Sequence, residues 1–231
     1  MLGFYDYTVW LTYLSLLSAG LGIMVSLNGD GHPYMGIFFL LVCGLCDAFD
    51  GRVARRKKNR TDMEKNFGVQ IDSLADLVAF GVLPACIGNA MIRVSPTLPE
   101  VPRLHTEKVT DFPCAVLLFA IMLFYMLAAL IRLAYFNVTE EERKKTEDGV
   151  RKYFEGLPVT SAALIFPLVL LLQYTTTSDI TPVYFGVMCL TGIAFISKFR
   201  IRKPGFKGVM IMIGIGAVEF VLLALSWHLK R

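Results

Sequence analysis

The sequence has little charge for its length. Of its 231 residues only 18% are Asp, Glu, Lys or Arg, whereas 55% are hydrophobic and the mean hydropathy is +0.57. This composition is too apolar for an ordinary soluble domain. The first ten residues contain no Lys or Arg, so we expect no cleavable signal peptide. We predict one all-α, polytopic membrane domain over residues 1–231 rather than two soluble domains.

Histidine and cysteine are too few and too scattered to indicate a soft-metal site. The three histidines are far apart, and the five cysteines lie in or beside apolar runs. Cys43 and Cys46 have C-x-x-C spacing, but no second ligand pair or nearby histidine accompanies them. We therefore interpret them as small buried residues rather than a zinc or redox site. The net charge of +4 is modest, and nothing resembles a nucleic-acid-binding module.

Seven apolar runs are long enough, or nearly so, to cross a membrane, so we predict about six to seven transmembrane helices. Their approximate bounds are 7–27, 34–55, 67–92, 112–136, 157–174, 182–196 and 208–227. The connection over 56–66 is polar, and within it Thr61 and Glu64 fit a capping box that would restart the helix. Residues 93–111 contain three prolines and are typical of a loop.

The basic residues are concentrated on one side of this topology. Most of the 23 Lys and Arg residues fall in the connections after the second, fourth and sixth spans. By the positive-inside rule, the N-terminus and the ends of spans two and three lie at the cytosolic face of the cell membrane. The cluster over residues 198–207 is suited to anionic lipid headgroups.

Four carboxylates lie in this apolar background, near the cytosolic ends of spans two and three. Asp47 and Asp50 are spaced i,i+3, and Asp72 and Asp76 are spaced i,i+4, so on a helix each pair shares a face. A charged side chain inside a bilayer costs roughly 2.5 to 3.5 kcal/mol by insertion scales, so these groups should face a partner or a cavity. Hard divalent ions such as Mg²⁺ use oxygen ligands of this kind. The alternative is that the aspartates cap helices or pair with nearby arginines.

A carboxylate-rich metal site at the membrane–cytosol boundary suits a phosphorylated substrate that is partly lipid. Divalent ions would neutralise a pyrophosphate, and a carboxylate not committed to metal could accept a proton from an attacking hydroxyl. Gly51 allows a nucleotide or phosphate to approach the helix backbone closely. A cation or proton transporter is the alternative from another class. The carboxylates lie near span ends rather than at the midplane, and no inverted repeat is evident, which disfavours transport.

These residues also match the pattern D-x-x-D-G-x-x-A-R…G-x-x-x-D-x-x-x-D and thereby resemble the CDP-alcohol phosphotransferase family. The matching positions are Asp47, Asp50, Gly51, Ala54, Arg55, Gly68, Asp72 and Asp76. Twelve residues separate Arg55 from Gly68, where about eight are expected, so the connection should be longer by about one helical turn.

The resemblance implies a helical-bundle transferase in which an alcohol attacks the β-phosphate of a CDP-linked donor and CMP leaves. It also implies two divalent ions, Mg²⁺ or Mn²⁺, and a homodimer. Asp47, Asp50 and Asp72 would ligate the metals, with Asp76 as general base and additional ligand. The residues implied to line the CDP site are Asp50, Gly51, Ala54, Arg55 and Gly68.

Three stretches resemble the phosphatidylserine synthase branch of this family: Gly68 to Ala85, Arg132-Leu-Ala-Tyr-Phe-Asn137, and Gly156-Leu-Pro158. The resemblance covers about residues 8–170, and the spans over 180–231 are additional. It implies CDP-diacylglycerol and L-serine as substrates and phosphatidylserine and CMP as products. Glycerol phosphate or inositol phosphate remains an alternative acceptor. The first span departs from the branch, with Ser and Ala where Asn and Gly are frequent.

Ser73, Arg132 and Asn137 are the candidate acceptor-binding residues. Arg132 could instead snorkel at a helix end, Asn137 could cap a helix C-terminus, and Ser73 could bond back to its own helix. Tyr135 stands where the branch has an arginine, and loss of that guanidinium would weaken recognition of a serine carboxylate.

Overall fold

Eight α-helices and two short strands form most of the described residues of this computed structural model, which are 3–29, 31–57, 59–95, 112–146, 153–175, 178–202 and 206–229. The helices are α1 (Trp10–Leu27), α2 (Pro33–Arg56), α3 (Asp62–Asp76), α4 (Leu83–Val94), α5 (Phe112–Thr146), α6 (Ala162–Thr175), α7 (Thr181–Ile196) and α8 (Phe206–Leu229). The strands are β1 (Tyr153–Glu155) and β2 (Arg200–Arg202).

Several of these helices have the length and composition of membrane spans. Trp10–Leu27, Asp62–Val94 and Cys114–Arg143 are each long and apolar enough to cross a membrane. The shorter helices Val159–Gln173, Thr181–Ile196 and Met210–Leu222 are also apolar. The prediction of an all-α membrane bundle is therefore confirmed in its class, while the count of six to seven spans stays a prediction.

The third span is longer than the sequence indicated, because its helix begins at Asp62 rather than at residue 67. The capping box predicted at its start is confirmed. Glu64 N donates to Thr61 Oγ1 at 3.2 Å, and Thr61 N donates to Glu64 Oε2 at 2.7 Å. These two bonds satisfy donors that the first helical turn would otherwise leave unpaired. The non-helical part of the polar connection is correspondingly short, although the connection from Arg55 to Gly68 as a whole is longer than expected because its second half is helical.

Three further bounds differ from the prediction. Helix α5 continues past residue 136 to Thr146, with an i,i+3 pair between Arg143 and Glu140 at 2.7 Å supporting its last turns. Helix α6 begins at Ala162, after a 3₁₀ turn over Val159–Ser161, rather than at residue 157. Of the predicted loop over 93–111, the first two residues are still helical, and 96–111 lie outside the described residues.

A π-helical turn over Leu77–Val82 joins α3 to α4, so the two run on as one helix. Pro84 has no N–H, and the carbonyl of Phe80 therefore loses the donor that an α-helix would give it. The hydroxyl of Tyr125 supplies the missing hydrogen bond at 2.7 Å. The hydroxyl of Tyr184 donates in the same way to the Pro84 carbonyl at 2.8 Å. Tyr125 thus holds the π-helical turn, and Tyr184 holds the start of α4 that follows it.

The same tyrosines belong to the buried aromatic core. The ring centroids of Tyr125 and Phe166 are 5.6 Å apart, those of Tyr125 and Phe195 are 5.5 Å apart, and those of Phe166 and Tyr184 are 5.0 Å apart. All four side chains are at most 2% exposed. The core therefore holds α5, α6 and α7 together and, through the two hydroxyls, fixes the joined helix α3–α4 against them.

Strands β1 and β2 form an antiparallel ribbon that the sequence analysis did not predict. Glu155 pairs with Arg200, and Tyr153 pairs with Arg202. Beyond the ribbon, Gly156 N donates to Phe199 O at 2.7 Å and Leu157 N donates to Ala194 O at 3.1 Å. The segment before α6 is thereby tied to the C-terminal end of α7.

Candidate metal and substrate site

The last turns of α2 and the middle of α3 bring three carboxylates together. One carboxylate oxygen from each of Asp47, Asp50 and Asp72 lies within 4.8 Å of the other two, and all three residues are half-buried. Three converging hard oxygen donors fit a divalent cation, and they suit Mg²⁺ and Mn²⁺ alike.

Asp76 lies one helical turn beyond Asp72, at the end of α3 and directly before the π-helical turn. It is not part of the three-carboxylate group, but it interacts electrostatically with Asp47, Asp50 and Asp72. A fourth carboxylate therefore stands beside the cluster without being committed to it.

Among the described residues, none of the four aspartates forms a side-chain helix cap or an arginine pair, and the alternative of pairing with Arg55 lies outside the described side chains. The N-cap and C-cap of α2 are His32 and Lys57, and the N-cap of α3 is Thr61. Across the described ranges, none of the four aspartates forms an ion pair with Lys or Arg. Within the described part of the chain, no Lys or Arg side chain pairs with these carboxylates, an arrangement that fits a metal site.

The remaining positions of the predicted CDP site flank this cluster. Gly51 and Ala54 lie in the last turns of α2 and are half-buried, and Gly51 N donates to the Asp50 carboxylate. Gly68 lies on α3 one turn before Asp72. The side chain of Arg55 lies outside the described residues, so its predicted place near the diphosphate stays a prediction.

Two of the predicted acceptor residues contact each other. Asn137 Nδ2 donates to Ser73 Oγ at 2.7 Å, which joins α5 to α3 directly beside Asp72. The alternative that Asn137 caps a helix is wrong, because α5 continues to Thr146. Among the described residues, the partner of the Ser73 hydroxyl is Asn137 rather than a carbonyl of its own helix.

Arg132 is buried, with 6% of its surface exposed. Its Nε donates to Leu157 O at 3.1 Å, and its guanidinium carbon lies 5.6 Å from the centroid of the Phe136 ring. The snorkelling alternative is wrong, because a snorkelling arginine would leave its head exposed. Tyr135, in place of the expected arginine, donates its hydroxyl to Glu155 Oε2 at 2.9 Å. The acceptor stretch of α5 is therefore connected to the ribbon segment.

The N-terminal segment packs against the connection between α2 and α3. Lys57 contacts the carboxylate of Asp6 and donates to Glu64 Oε1 at 2.7 Å, and the rings of Phe4 and Phe67 meet edge to face at 5.2 Å. The Lys57 ammonium and the donors of Thr8 hold the pKa of Asp6 at about 2. This end of the bundle thus carries a network of charges beside the aspartate site.

Sequence reasoning missed two polar residues. Arg60 turns back onto α3, and its Nη2 donates to Glu64 O at 3.1 Å. Glu219 lies in α8 and is 4% exposed, and its Oε2 makes no hydrogen bond to any residue that the structure describes. The signal for Glu219 was present in the sequence, since it is the single acidic residue of the last apolar run.

An open groove of about 680 Å³ runs along α1 and α2 on the stripe of α2 next to the aspartates. Its wall is mostly apolar, and two arginines stand towards its end. The lining residues are Leu11, Leu14, Val42, Leu45, Cys46, Phe49, Arg52, Val53 and Arg56.

Comparison with known proteins adds to this geometry. The family model for CDP-alcohol phosphatidyltransferase matches residues 8–197, which include the four aspartates and the three acceptor candidates. The chain is 36% identical over 165 residues to CDP-diacylglycerol–serine O-phosphatidyltransferase of Saccharomyces cerevisiae, an alignment that covers 70% of this chain and 50% of that protein. It is 28% identical over 209 residues to the Helicobacter pylori protein of the same name, covering 89% of this chain and 76% of that one.

A third similarity is to archaetidylserine synthase of Methanothermobacter thermautotrophicus, at 32% identity over 152 residues, covering 65% of this chain and 53% of that protein. The chain thus spans about half the length of the yeast and archaeal relatives and three quarters of the Helicobacter one. The matched region extends through α7 and leaves α8 outside it.

Proposed function

Because the chain belongs to the CDP-alcohol phosphatidyltransferase family, we propose that it transfers the phosphatidyl group of CDP-diacylglycerol to L-serine, giving phosphatidylserine and CMP. The relatives described above are named for serine transfer or for a serine-containing lipid, which supports serine as the acceptor. Two of them are named for CDP-diacylglycerol, and the archaeal relative is named for archaetidylserine. The names therefore agree on serine and differ in the lipid part of the donor.

The observation that carries the proposal is the convergence of Asp47, Asp50 and Asp72 beside Asp76 at one end of the bundle. We assign the first three as metal ligands, with Asp76 as an additional ligand when two ions bind. Bound divalent ions would neutralise the donor's diphosphate and stabilise the departing phosphate. The chain supplies the oxygen ligands and holds them on two packed helices.

We assign Asp76 as the general base. The serine hydroxyl forms a bond to the β-phosphorus of the donor, and its proton passes to the Asp76 carboxylate. The bond between that phosphorus and the oxygen bridging to the α-phosphate breaks, and CMP leaves with the bridging oxygen. The position of Asp76 beside the three-carboxylate group, but outside it, supports this assignment.

The nucleotide would lie across the last turns of α2 and the first turns of α3. We assign Asp50, Gly51, Ala54, Arg55 and Gly68 to the CDP site. Small side chains at Gly51 and Ala54 leave the surface of α2 open to a ligand. The apolar groove along α1 and α2 begins beside this face and would receive an acyl chain of the donor.

The acceptor would be held by Ser73, Asn137 and Arg132. The hydrogen bond of 2.7 Å between Asn137 and Ser73 brings α5 to the residue that follows Asp72. Arg132 is buried and anchored through Nε to Leu157 O, which places a planar guanidinium on the same helix as Asn137, and a guanidinium is the group that pairs best with a carboxylate such as that of serine. We also place the site at the cytosolic face of the cell membrane, with the N-terminus in the cytosol, and expect a homodimer.

The test is a CMP-release assay on detergent-purified protein with CDP-diacylglycerol and either Mg²⁺ or Mn²⁺. Serine, glycerol phosphate and inositol phosphate are compared as acceptors. We expect CMP release only with serine as the acceptor. We also expect it only with a divalent ion, because the ion's positive charge neutralises the diphosphate, so adding a chelator should stop the release. Asp76→Asn should lower kcat by about 100-fold or more, because general-base catalysis typically contributes a factor of about 10² to 10⁴.

Asp47→Asn should abolish release, whereas Asp62→Asn serves as the matched control. Asp62 is an exposed carboxylate on the same helix as Asp72, paired with Lys65 at 2.9 Å and remote from the cluster. Release with a different alcohol alone would overturn the serine assignment and leave the metal site intact. No release with any alcohol, from folded and metal-loaded protein, would overturn the transferase proposal.

A further inference from the structure

Arg60 occupies an unusual place in the connection that is longer than the family pattern. It immediately precedes the N-cap Thr61, and its side chain folds back along α3 instead of extending away from it. Its Nη2 lies only 2.8 Å from where a Cβ on Gly68 would be. A Cβ at Gly68 would therefore oblige the guanidinium, the far end of a flexible side chain, to leave this position.

The guanidinium of Arg60 is incompletely satisfied. An arginine has five N–H donors, and Arg60 uses Nη2 to reach the carbonyl of Glu64, while its Nε is buried without an acceptor among the described residues. The neighbouring cations differ. Lys57 donates to Glu64 at 2.7 Å and Lys65 donates to Asp62 at 2.9 Å, whereas no carboxylate of the described chain pairs with Arg60. Arg60 is half-exposed, and no carboxylate of the described residues neutralises its guanidinium, so this arrangement is suited to an anionic ligand.

The position of Arg60 relative to the aspartates identifies the ligand. Gly68 and Asp72 are spaced i,i+4 and so lie on one face of α3, about 6 Å apart along the helix axis. The guanidinium thus stands about one helical turn from the carboxylate cluster, on the same face and towards the connection. An anionic ligand that binds at the carboxylate cluster and extends along α3 would therefore reach the Arg60 guanidinium.

We propose that Arg60 is a further ligand of the donor, donating hydrogen bonds to the diphosphate of the CDP group, and that Gly68 is required chiefly because a side chain there would displace Arg60. This inference rests on the proposed function. It also gives the longer connection between Arg55 and Gly68 a role in binding. That connection brings to the nucleotide site the guanidinium of Arg60, which is not one of the eight positions of the family pattern.

The first test measures CMP binding by calorimetry on detergent-purified protein in the presence of Mn²⁺. Arg60→Gln should weaken CMP binding by about tenfold or more, because hydrogen bonds to charged groups are worth about 1.5 to 3 kcal/mol and each 1.4 kcal/mol is tenfold. Arg60→Lys should fall between wild type and Arg60→Gln, since lysine keeps the charge but loses the planar fork. Lys65→Gln, a basic residue of the same helix, is the matched control and should bind as wild type does.

A double-mutant cycle tests the link to Gly68. Gly68→Ala should weaken CMP binding in the wild-type background, although alanine favours a helix. In the Arg60→Gln background the same change should have no further effect. An equal penalty in both backgrounds would overturn the link, because Gly68 would then act directly on the ligand.

The outcomes separate this inference from the proposed function. If wild-type protein binds CMP and Arg60→Gln binds it equally well, the role of Arg60 is refuted while the transferase proposal stands. If the wild-type protein binds no CMP and releases none from CDP-diacylglycerol, the proposed function itself is refuted. In activity assays, the change at Arg60 should raise KM for CDP-diacylglycerol and leave KM for serine unchanged.

Discussion

Gly156 is the position at which a single methyl group should disturb both the fold and the acceptor site. Its φ of +74° lies in the left-handed region, where a residue with a side chain costs roughly 1 to 2 kcal/mol more than glycine. A Cβ there would also lie 2.9 Å from the carbonyl oxygens of Phe195 and Ser197, which are backbone atoms and cannot rotate away.

The segment could relieve this contact only by giving up its ties to α7. Gly156→Ala would then lose the bonds from Gly156 N to Phe199 O and from Leu157 N to Ala194 O, each worth about 1 kcal/mol. Together with the backbone strain, we expect a loss of about 2 to 4 kcal/mol. Since 1 kcal/mol shifts the melting temperature of a chain of this size by about 2 to 4 °C, thermal unfolding in detergent should show a decrease of about 5 °C or more.

Gly186→Ala is the matched control, because nothing lies within 4 Å of a Cβ at that position of α7. It should leave the melting temperature unchanged or raise it, as alanine favours a helix. Gly156→Ala should also raise KM for serine, since Leu157 O is the acceptor that orients Arg132. If the two variants melt at the same temperature, the ribbon segment does not carry the strain assigned to it and this reasoning is refuted.

Three further predictions concern buried or charged groups away from the aspartates. Tyr125→Phe removes the hydrogen bond from the Tyr125 hydroxyl to the Phe80 carbonyl and should cost about 0.5 to 1.5 kcal/mol, measured as a lower melting temperature. An unchanged melting temperature would mean that the π-helical turn does not need this bond. Glu219→Leu removes a buried carboxyl whose Oε2 has no hydrogen-bond partner among the described residues, so it should raise the melting temperature with CMP release unchanged. Glu219→Gln should raise it less, and a lower melting temperature for the leucine variant would contradict this. The contribution of Asp6 should be fully present above its ordinary pKa of 3.8 and decrease as the pH falls from 3.8 towards about 2, because folding lowers its pKa. The melting difference between wild type and Asp6→Asn, followed across pH, measures this contribution, and a transition near pH 6 to 7 would contradict the assignment.

The aspartate cluster was predictable because its geometry is mostly local. The i,i+3 and i,i+4 spacings put each pair on one helix face. The apolar flanks indicated that the carboxylates turn away from lipid and face a shared cavity or bound partner. The capping box at Thr61 and Glu64 was predictable for the same reason, since it depends on residues three apart.

The features that the sequence did not reveal depend on contacts between distant segments. The β1–β2 ribbon consists of three-residue strands that are separated by two helices, and such short strands carry no alternating pattern. Asn137 was open to interpretation as a cap because the charged run after it suggested a helix end. The pair between Glu140 and Arg143 shows instead how that run continues the helix. The return of Arg60 onto Gly68 depends on the path of a connection, which spacing alone does not determine.

The π-helical turn between Asp76 and Pro84 also divides one long helix into two parts of different phase. A single extra residue in one turn rotates everything that follows by about 100° relative to a regular α-helix. The acidic stripe that ends at Asp76 is therefore not continued by the stripe that α4 directs into the core, where Leu83 and Ile87 are fully buried. One continuous helix can thus present oxygen ligands at its polar end and an apolar surface within the bilayer, with each face oriented independently of the other.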